Sequence, residues 1–518
     1  MTHSAPTRAL LGLLAVAMVC VPFYGAWRYD EFHRSLAAQE APPGPEPGPG
    51  RGAAAGGPPS EGRTDGAAPV VLAYHDIGRD SRSRYTVTPE AFDAQLAALA
   101  AAGYRTLSSE EFAAYLRGGR APGPRSVFLT FDDGAHGLWV HADRILARHG
   151  MRAAAFLITR AVGSHRPYYL SWEEIGRMAR SGRWDFENHT HDLHRREAVD
   201  AAGRTSSALA SRLWLAGEER RETAEEYRRR VEADLDRSIG DITRRGLPRP
   251  RLFAYPFSET SGRASRSPVT DRMLRTALAE RFVAALTNSS GRPLPAGRRA
   301  AAAGEVQRVE VTAGTGVREL LAEVRRWTAV SPADCPAPFT EQEFWRPNDG
   351  VPAGLGVFTG AGPYPGRTGY AGAAYRPMAS ADWTGYGVGF RVTGLRESEN
   401  SAGVIVRDGS LGPLEVSLSF SYVRLRELRG GRWHEIGRRT LTDAGEHRVR
   451  ITVERDRTVV AVDGRTRIEQ ATRVTGGDAT GGIAVSVRNG DPEGGWPRFT
   501  SLTVRPSAGP GEDGVRRG

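Results

Sequence analysis

The chain has no lysine. Its 70 Lys/Arg-type cations are all arginine, set against 60 Asp and Glu, for a formal net charge of +10. Acids are interspersed with the arginines throughout, so the charge reads as a solvated surface. An anionic cell-wall polymer or a membrane surface is the other partner class it would suit. There is no basic stripe with interleaved aromatics, and no nucleic-acid partner is expected. Cysteine is nearly as scarce: Cys20 lies in an apolar N-terminal run and Cys335 in a Pro-rich stretch. No disulfide framework follows, and a nearly cysteine-free exported chain is compatible with a bacterial cell surface.

Large apolar side chains are missing from residues 41–68, which are mostly Pro, Gly and Ala. Such a stretch cannot bury enough surface to fold, and a disordered linker is expected over 28–68. Before it, Ala9 to Trp27 is uncharged and largely apolar. That length suits a transmembrane anchor over 9–27, with residues 1–8 cytoplasmic because Arg8 and the amino terminus precede the run. A cleaved signal peptide, giving a secreted form, is the rival, although no small-x-small cleavage site is evident near the end of the run. The expectation is a cell-membrane protein, single-pass, with its body extracellular.

At 518 residues the chain is too long for one ordinary core. From Pro69 onward short apolar strands alternate with capped helices. The strands read as Pro69–Asp76, Ser126–Phe131, Ala154–Ile158, Trp184–Asn188, Arg251–Tyr255 and Phe282–Leu286, with a long charged helix over Glu218–Ile239. That alternation indicates a parallel α/β domain over 69–330. Pro332, Pro336 and Pro338 mark a joint at 331–350. From 351 to 506 helical periodicity disappears. Period-two segments such as Tyr386-Gly-Val-Gly-Phe-Arg-Val and His447-Arg-Val-Arg-Ile-Thr-Val indicate an all-β sandwich, and a disordered tail is expected over 507–518.

The chemistry concentrates in two motifs. Phe131-Asp-Asp-Gly134 ends an apolar run, and His189-Thr-His-Asp-Leu-His194 follows a second predicted strand. Taken alone, Asp-Asp-Gly is equally a turn ending a buried strand, and a His pair in a polar loop is commonly solvated or capping. In this order, each behind a strand, they supply a mononuclear hydrolytic metal site. Asp133 offers an anionic oxygen and His189 and His194 two imidazoles, while Asp132 is left beside them as a base. His191 is a third histidine between them: a spare ligand, a group supporting the ligands from behind, or, as is expected, a side chain that points to solvent.

Tyr74-His75-Asp76, Thr130-Phe-Asp-Asp-Gly134, the His189/His194 spacing, Ala224-Glu-Glu-Tyr-Arg-Arg-Arg-Val231 and Pro250-Arg-Leu-Phe-Ala-Tyr-Pro-Phe257 with Glu259 carry a resemblance. Residues from Val70 to about Gly291 resemble the polysaccharide deacetylases of carbohydrate esterase family 4, the NodB-homology group. Within that group they are most similar to poly-β-1,6-N-acetyl-D-glucosamine de-N-acetylases. The resemblance implies a distorted (β/α) barrel. It also implies one divalent metal on Asp133, His189 and His194, zinc first, with nickel, cobalt or iron as alternatives. Asp132 would be the general base that deprotonates the attacking water, His75 the general acid that protonates the leaving amine, and a backbone N–H near Phe257 an oxyanion donor. Tyr255, Pro256 and Glu259 would contact substrate. On the residues alone, His75 could instead be a strand-end imidazole satisfied by Asp76. Phe257 stands where the family has Tyr, the Arg-containing third motif is not recognisable, and Asn288-Ser-Ser-Gly291 falls where a pocket wall is expected. The C-terminal sandwich resembles concanavalin-like or laminin-G-like modules in outline, with Trp383, Trp433 and Trp496 as candidate glycan-stacking residues or as core aromatics. The expected function is an extracytoplasmic N-deacetylase of an exopolysaccharide that releases acetate. A peptidoglycan, chitin or xylan deacetylase is the alternative within the class, and a catalytically silent glycan-binding surface protein the alternative outside it.

Overall fold

The computed structural model describes residues 5–45, 68–79, 83–123, 125–165, 167–260, 267–289, 294–348, 350–351, 354–360, 368–397, 400–441, 446–472, 479–493 and 495–507, with the side chains of 5–13 outside that set. Most of the expected linker (46–67), Ser290 and Gly291 of the expected pocket wall, and the tail from 508 onward lie outside the described residues.

Eight strands form the wall of a barrel, and every pairing is parallel. They are β1 (Val70–Tyr74), β2 (Ser126–Phe131), β3 (Ala153–Leu157), β4 (Trp184–Asn188), β5 (Leu252–Ala254), β6 (Ala284–Thr287), β7 (Val306–Gln307) and β8 (Val309–Glu310). Their order is β7-β6-β5-β4-β3-β2-β1-β8, and the short strand Arg105–Thr106 pairs with β2 off this path. β1, β2, β3 and β6 are buried at every position. Continuous burial is what a parallel sheet covered on both faces demands, and it explains their unbroken apolar runs. The two end strands are neighbours in sequence, separated by Arg308 alone. β7 pairs with β6 (Leu286 opposite Val306) and β8 with β1 (Leu72 opposite Val309), so one residue spans the seam that nearly closes the barrel.

The ladders continue past the strand ends. Asp132 N–H donates to Tyr74 O (3.0 Å), His189 N–H to Leu157 O (3.0 Å), Tyr255 N–H to Leu286 O (2.9 Å) and Arg308 N–H to Thr287 O (2.9 Å). Residues just beyond the strands are therefore fixed at one end of the barrel, the carboxyl end where barrel sites are built.

Several expectations need correction. The long helix starts at Ala224 and runs to Thr243, because Thr223 caps it with Glu226 in a reciprocal capping box. Residues Trp214–Leu215 and Arg220–Arg221 before it form a small hairpin. Residue 28 does not begin a linker: a 34-residue helix runs from Ala5 to Ala38. Its end is docked on the barrel, where Trp139 Nε1 donates to Leu36 O (2.7 Å) and Arg183 donates to the carbonyls of Pro42 and Pro43. The anchor expected at 9–27 finds no support: among the described residues no helix is long and apolar enough to cross a membrane.

The sandwich has a seven-stranded and a five-stranded sheet, all antiparallel. Burial alternates residue by residue along Tyr386–Thr393 as the period-two pattern requires. The stretch read as a joint belongs to it: Trp345–Pro347 is an edge strand, and Cys335 and Trp345 lie in the sandwich core. Trp383 and Trp496 are core residues at 3% and 5% exposure, not exposed glycan platforms. Trp383 Nε1 donates to Val330 O (2.7 Å). Trp433 is partly exposed, with the Arg426 guanidinium 5.6 Å from its ring centroid.

The buried clusters of the barrel draw on residues from 68 to 324 and that of the sandwich on residues from 335 onward. Their junction is polar, through Arg299 with Asp382 (3.0 Å) and Ala381 O. Calorimetry of the full chain should therefore resolve two unfolding transitions, and a fragment of residues 28–330 should keep one of them. A fragment without a cooperative transition would show that the barrel depends on the sandwich.

Candidate metal centre and active site

The β2 end supplies two adjacent carboxylates that face different partners. Asp133 sits in a left-handed turn (φ 70°), followed by Gly134 at φ 74°. A Cβ on Gly134 would lie 2.9 Å from Leu157 Cδ2, and the positive φ there favours glycine. Thr190, Phe257 and Ser258 also have positive φ (76°, 57° and 55°). Strained backbone thus gathers in the turns after β2, β4 and β5, which is where held geometry is needed.

Asp133 Oδ1 lies 3.5 Å from His189 Nε2 and 3.4 Å from His194 Nε2, and the two imidazole centroids are 4.7 Å apart. Among the described residues this is the one group of three or more His, Cys, Asp or Glu side chains that could hold a metal ion. His189 Nδ1 is 2.8 Å from Ala254 O. Donation from Nδ1 to that carbonyl fixes the tautomer and leaves Nε2 as a ligand. Asp133 Oδ1 is buried with no hydrogen-bond partner. An orphaned carboxylate oxygen facing two imidazole nitrogens fits a divalent cation. Burial pushes the His194 imidazole down to about 4, helped by the charge of His189, so it is neutral and ready to ligate near neutral pH.

Asp132 is 3% exposed and turns to Arg308. Arg308 Nη1 donates to Oδ1 (2.8 Å) and Nη2 to Oδ2 (2.6 Å), a bidentate pair. Burial alone would raise the Asp132 carboxyl, but the Arg308 guanidinium and, after it, His189 overcome that and hold it well below the usual carboxylate range. Arg308 Nε donates to Asn288 Oδ1 (2.8 Å), Asn288 Nδ2 to Glu310 Oε1 (3.1 Å), and Arg84 Nη2 to Glu310 Oε2 (2.6 Å). Sequence reasoning missed Arg308, Asn288 as a participant, and Glu310. Nothing in Gln307-Arg308-Val309 announces a site, because Arg308 acts by where the seam places it.

His75 is not satisfied by Asp76. The Asp76 carboxylate accepts from Thr86 Oγ1 (3.3 Å), whereas His75 Nδ1 is buried without a hydrogen-bond partner. The His75 ring lies 4.6 Å from that of Tyr85. His75, Asp132, Asp133, His189, His194 and Phe257 share one cavity of about 520 Å³. Phe257 is 40% exposed, its ring 4.6 Å from His194, with the Arg196 guanidinium 4.9 Å from its centroid. Tyr255 lines the cavity, although its hydroxyl donates away to Gly304 O (3.0 Å). Pro256 and Glu259 do not line it, and Glu259 pairs instead with Arg196. His191 does not point to solvent: its Nδ1 is 2.9 Å from Thr159 Oγ1 and 3.0 Å from Asp241 Oδ2, apart from the two ligands beside it in sequence.

A two-histidine, one-carboxylate centre at the carboxyl mouth of a parallel α/β barrel, with, in the same cavity, an ionised carboxylate and an imidazole whose buried Nδ1 has no partner, has the make-up of a hydrolytic metal site. The family follows from sequence comparison: the "Polysaccharide deacetylase" profile matches residues 119–268, and the chain carries a domain of that family. The matched segment holds both carboxylates, both histidine ligands and Phe257, whereas His75 and Arg308 lie outside it. A poly-beta-1,6-N-acetyl-D-glucosamine N-deacetylase of Staphylococcus epidermidis is 37% identical over 120 residues, 23% of this chain and 41% of that protein. One of Staphylococcus aureus is 30% identical over 176 residues, 33% of this chain and 54% of that protein. The chain thus spans about half the length of these curated relatives. The solved structure of IcaB from Ammonifex degensii is similar over 50% of this chain and 98% of that one, at 28% identity and a TM-score of 0.38.

Replacing His189 or His194 by alanine should abolish divalent-metal content measured by elemental analysis, while His191→Ala should retain it. The opposite pattern would reassign the ligands. Arg308→Lys keeps the charge but loses the fork. Because Arg308 holds the Asp132 carboxyl down, the variant should raise it, and the acidic limb of the rate–pH profile should move to higher pH. An unmoved limb would show that Asp132 ionisation does not govern the rate.

Proposed function

We propose that the chain is a metal-dependent polysaccharide N-deacetylase that acts outside the cytoplasm on a poly-N-acetylglucosamine-like polymer. The observation that carries this reading is the cavity in which Asp133, His189 and His194 converge while Asp132 and His75 flank them. The names of the Staphylococcus relatives support the choice of polymer. The location follows from the polymer, which is an exopolysaccharide. An anchor at 9–27 forms no part of this reading.

The reaction adds water across an acetamido C–N bond and yields acetate and a free amine. A divalent cation on the three ligands would supply a Lewis acid for the acyl oxygen and acidify water. Asp132, kept ionised by Arg308, accepts the proton of the attacking water at a carboxylate oxygen. The backbone N–H at Phe257 donates to the oxygen that gains charge. His75 delivers a proton to the nitrogen, because an amide leaves as an amine only when protonated. The strained turns hold these groups before substrate arrives, so the geometry need not form during the reaction.

Acetate release from β-1,6-linked N-acetylglucosamine oligomers, beside chitin, peptidoglycan and acetylated xylan, tests the reading. The β-1,6 oligomer should be the preferred substrate. Asp132→Asn and His75→Ala should keep metal and lose turnover by about 10²–10⁴-fold, and His75→Ala should also flatten the alkaline limb. Preference for another polymer would move the substrate, and full activity in either variant would remove that residue from the chemistry.

A further inference from the structure

The His191 motif leads to a second cavity. Of about 640 Å³, it is lined by Thr159, His191 and Asp241, by Trp172, and by four arginines, Arg160, Arg237, Arg244 and Arg245. That volume is within the range of about 300–1,000 Å³ typical of ligand sites. It adjoins the metal centre along the chain, since Thr159 follows β3 and His191 lies between the two histidine ligands.

The charges in this cavity do not cancel. Asp241 is its one acidic lining residue, and its carboxylate is already engaged. Oδ1 accepts from Arg244 Nη2, and Oδ2 is held by Thr159 Oγ1 (3.2 Å) and His191 Nδ1 (3.0 Å). Arg160 pairs with Asp192 outside the cavity (2.8 Å). Arg237 and Arg245 have no carboxylate partner among the described residues. The Arg245 guanidinium lies 5.1 Å from the Trp172 ring centroid, and the indole is half-buried. A guanidinium beside an aromatic face joins two recognition elements: a planar donor fork for carboxylate or phosphate, and an apolar surface for the C–H face of a ring. His191 and Asp241 serve as the framework that locks the metal-loop backbone to this wall. Asp234 adds to it by accepting from the N–H groups of His191 and Asp192 (2.8 Å each).

We infer that this cavity binds an anionic sugar residue, one bearing a carboxylate or phosphate, of a polysaccharide, with its acid on Arg237 and Arg245 and its ring against Trp172. The inference rests on the reading of the chain as a protein that acts on polysaccharides. It extends that reading to glycans in which N-acetylated and acidic units coexist.

Titration calorimetry on the full chain tests it with three probes: a tetrasaccharide of alternating glucuronic acid and N-acetylglucosamine, a neutral N-acetylglucosamine tetrasaccharide, and inorganic phosphate. The acidic tetrasaccharide should bind more tightly than either of the others, and less tightly as salt rises. The double variant Arg237→Gln/Arg245→Gln should weaken it at least about tenfold, the equivalent of one good charge-assisted contact. Trp172→Ala should weaken it as well, with Trp172→Phe restoring most of the binding and so controlling for misfolding. Acetate release from the neutral oligomer should be unchanged in the double variant. Equal binding of the acidic and neutral tetrasaccharides, or of the variant and the parent, would overturn the site. Phosphate binding as tightly as the acidic tetrasaccharide would overturn the sugar component. If the parent releases no acetate from neutral oligomers yet its binding still responds to the double variant, the catalytic reading falls and this one stands.

Discussion

The buried ion pair between Arg308 and Asp132 is the constraint around which the active end of the barrel is arranged. Either charge alone, at 1% and 3% exposure, would carry a desolvation penalty of several kcal/mol. Two parallel hydrogen bonds and the Asn288–Glu310–Arg84 chain behind the guanidinium offset that penalty by giving each buried polar group a partner. The pair also ties barrel closure to chemistry. Arg308 is the single residue between the two end strands, so the register of β7 on β6 and of β8 on β1 decides whether the guanidinium meets the carboxylate.

The two carboxylates at 132 and 133 show how adjacent residues of one type acquire different work. Asp133 turns into the left-handed region and leaves an oxygen bare before two imidazoles. Asp132 stays in register with β1 through its N–H and turns its carboxylate to the guanidinium. The difference is conformational: Asp133 and Gly134 both take positive φ just past the end of β2. The same economy governs the His motif, in which His189 and His194 face the cavity while His191 ties the loop to Thr159 and Asp241.

Beyond the barrel strands, the segment before the barrel and the Pro-rich stretch after it are less loosely attached than their composition suggests. Residues 36–43 are held by Trp139 and Arg183 through backbone carbonyls, contacts that need no particular side chain on the docked segment. The Pro-rich stretch after 331 turns into the edge of the sandwich because proline is tolerated at sheet edges and in turns, so its presence marked a boundary but not a hinge.

The sequence by itself determined the parallel α/β class, the strands Ser126–Phe131 and Trp184–Asn188 to the residue, the alternating sandwich, and the residues that converge as Asp133, His189 and His194. These are local matters of apolar run length, period and motif chemistry, each written within a few consecutive residues. The tertiary structure alone decided the rest. It showed that Arg308, far along the chain, partners Asp132, that His75 is free of Asp76, and that Glu259 serves Arg196. It also placed Trp383 and Trp496 inside the sandwich and made His191 part of a cationic cavity. None of these is local. Each depends on which strand end or helix is brought opposite by packing, and a pattern of residue types carries no record of distance across the fold.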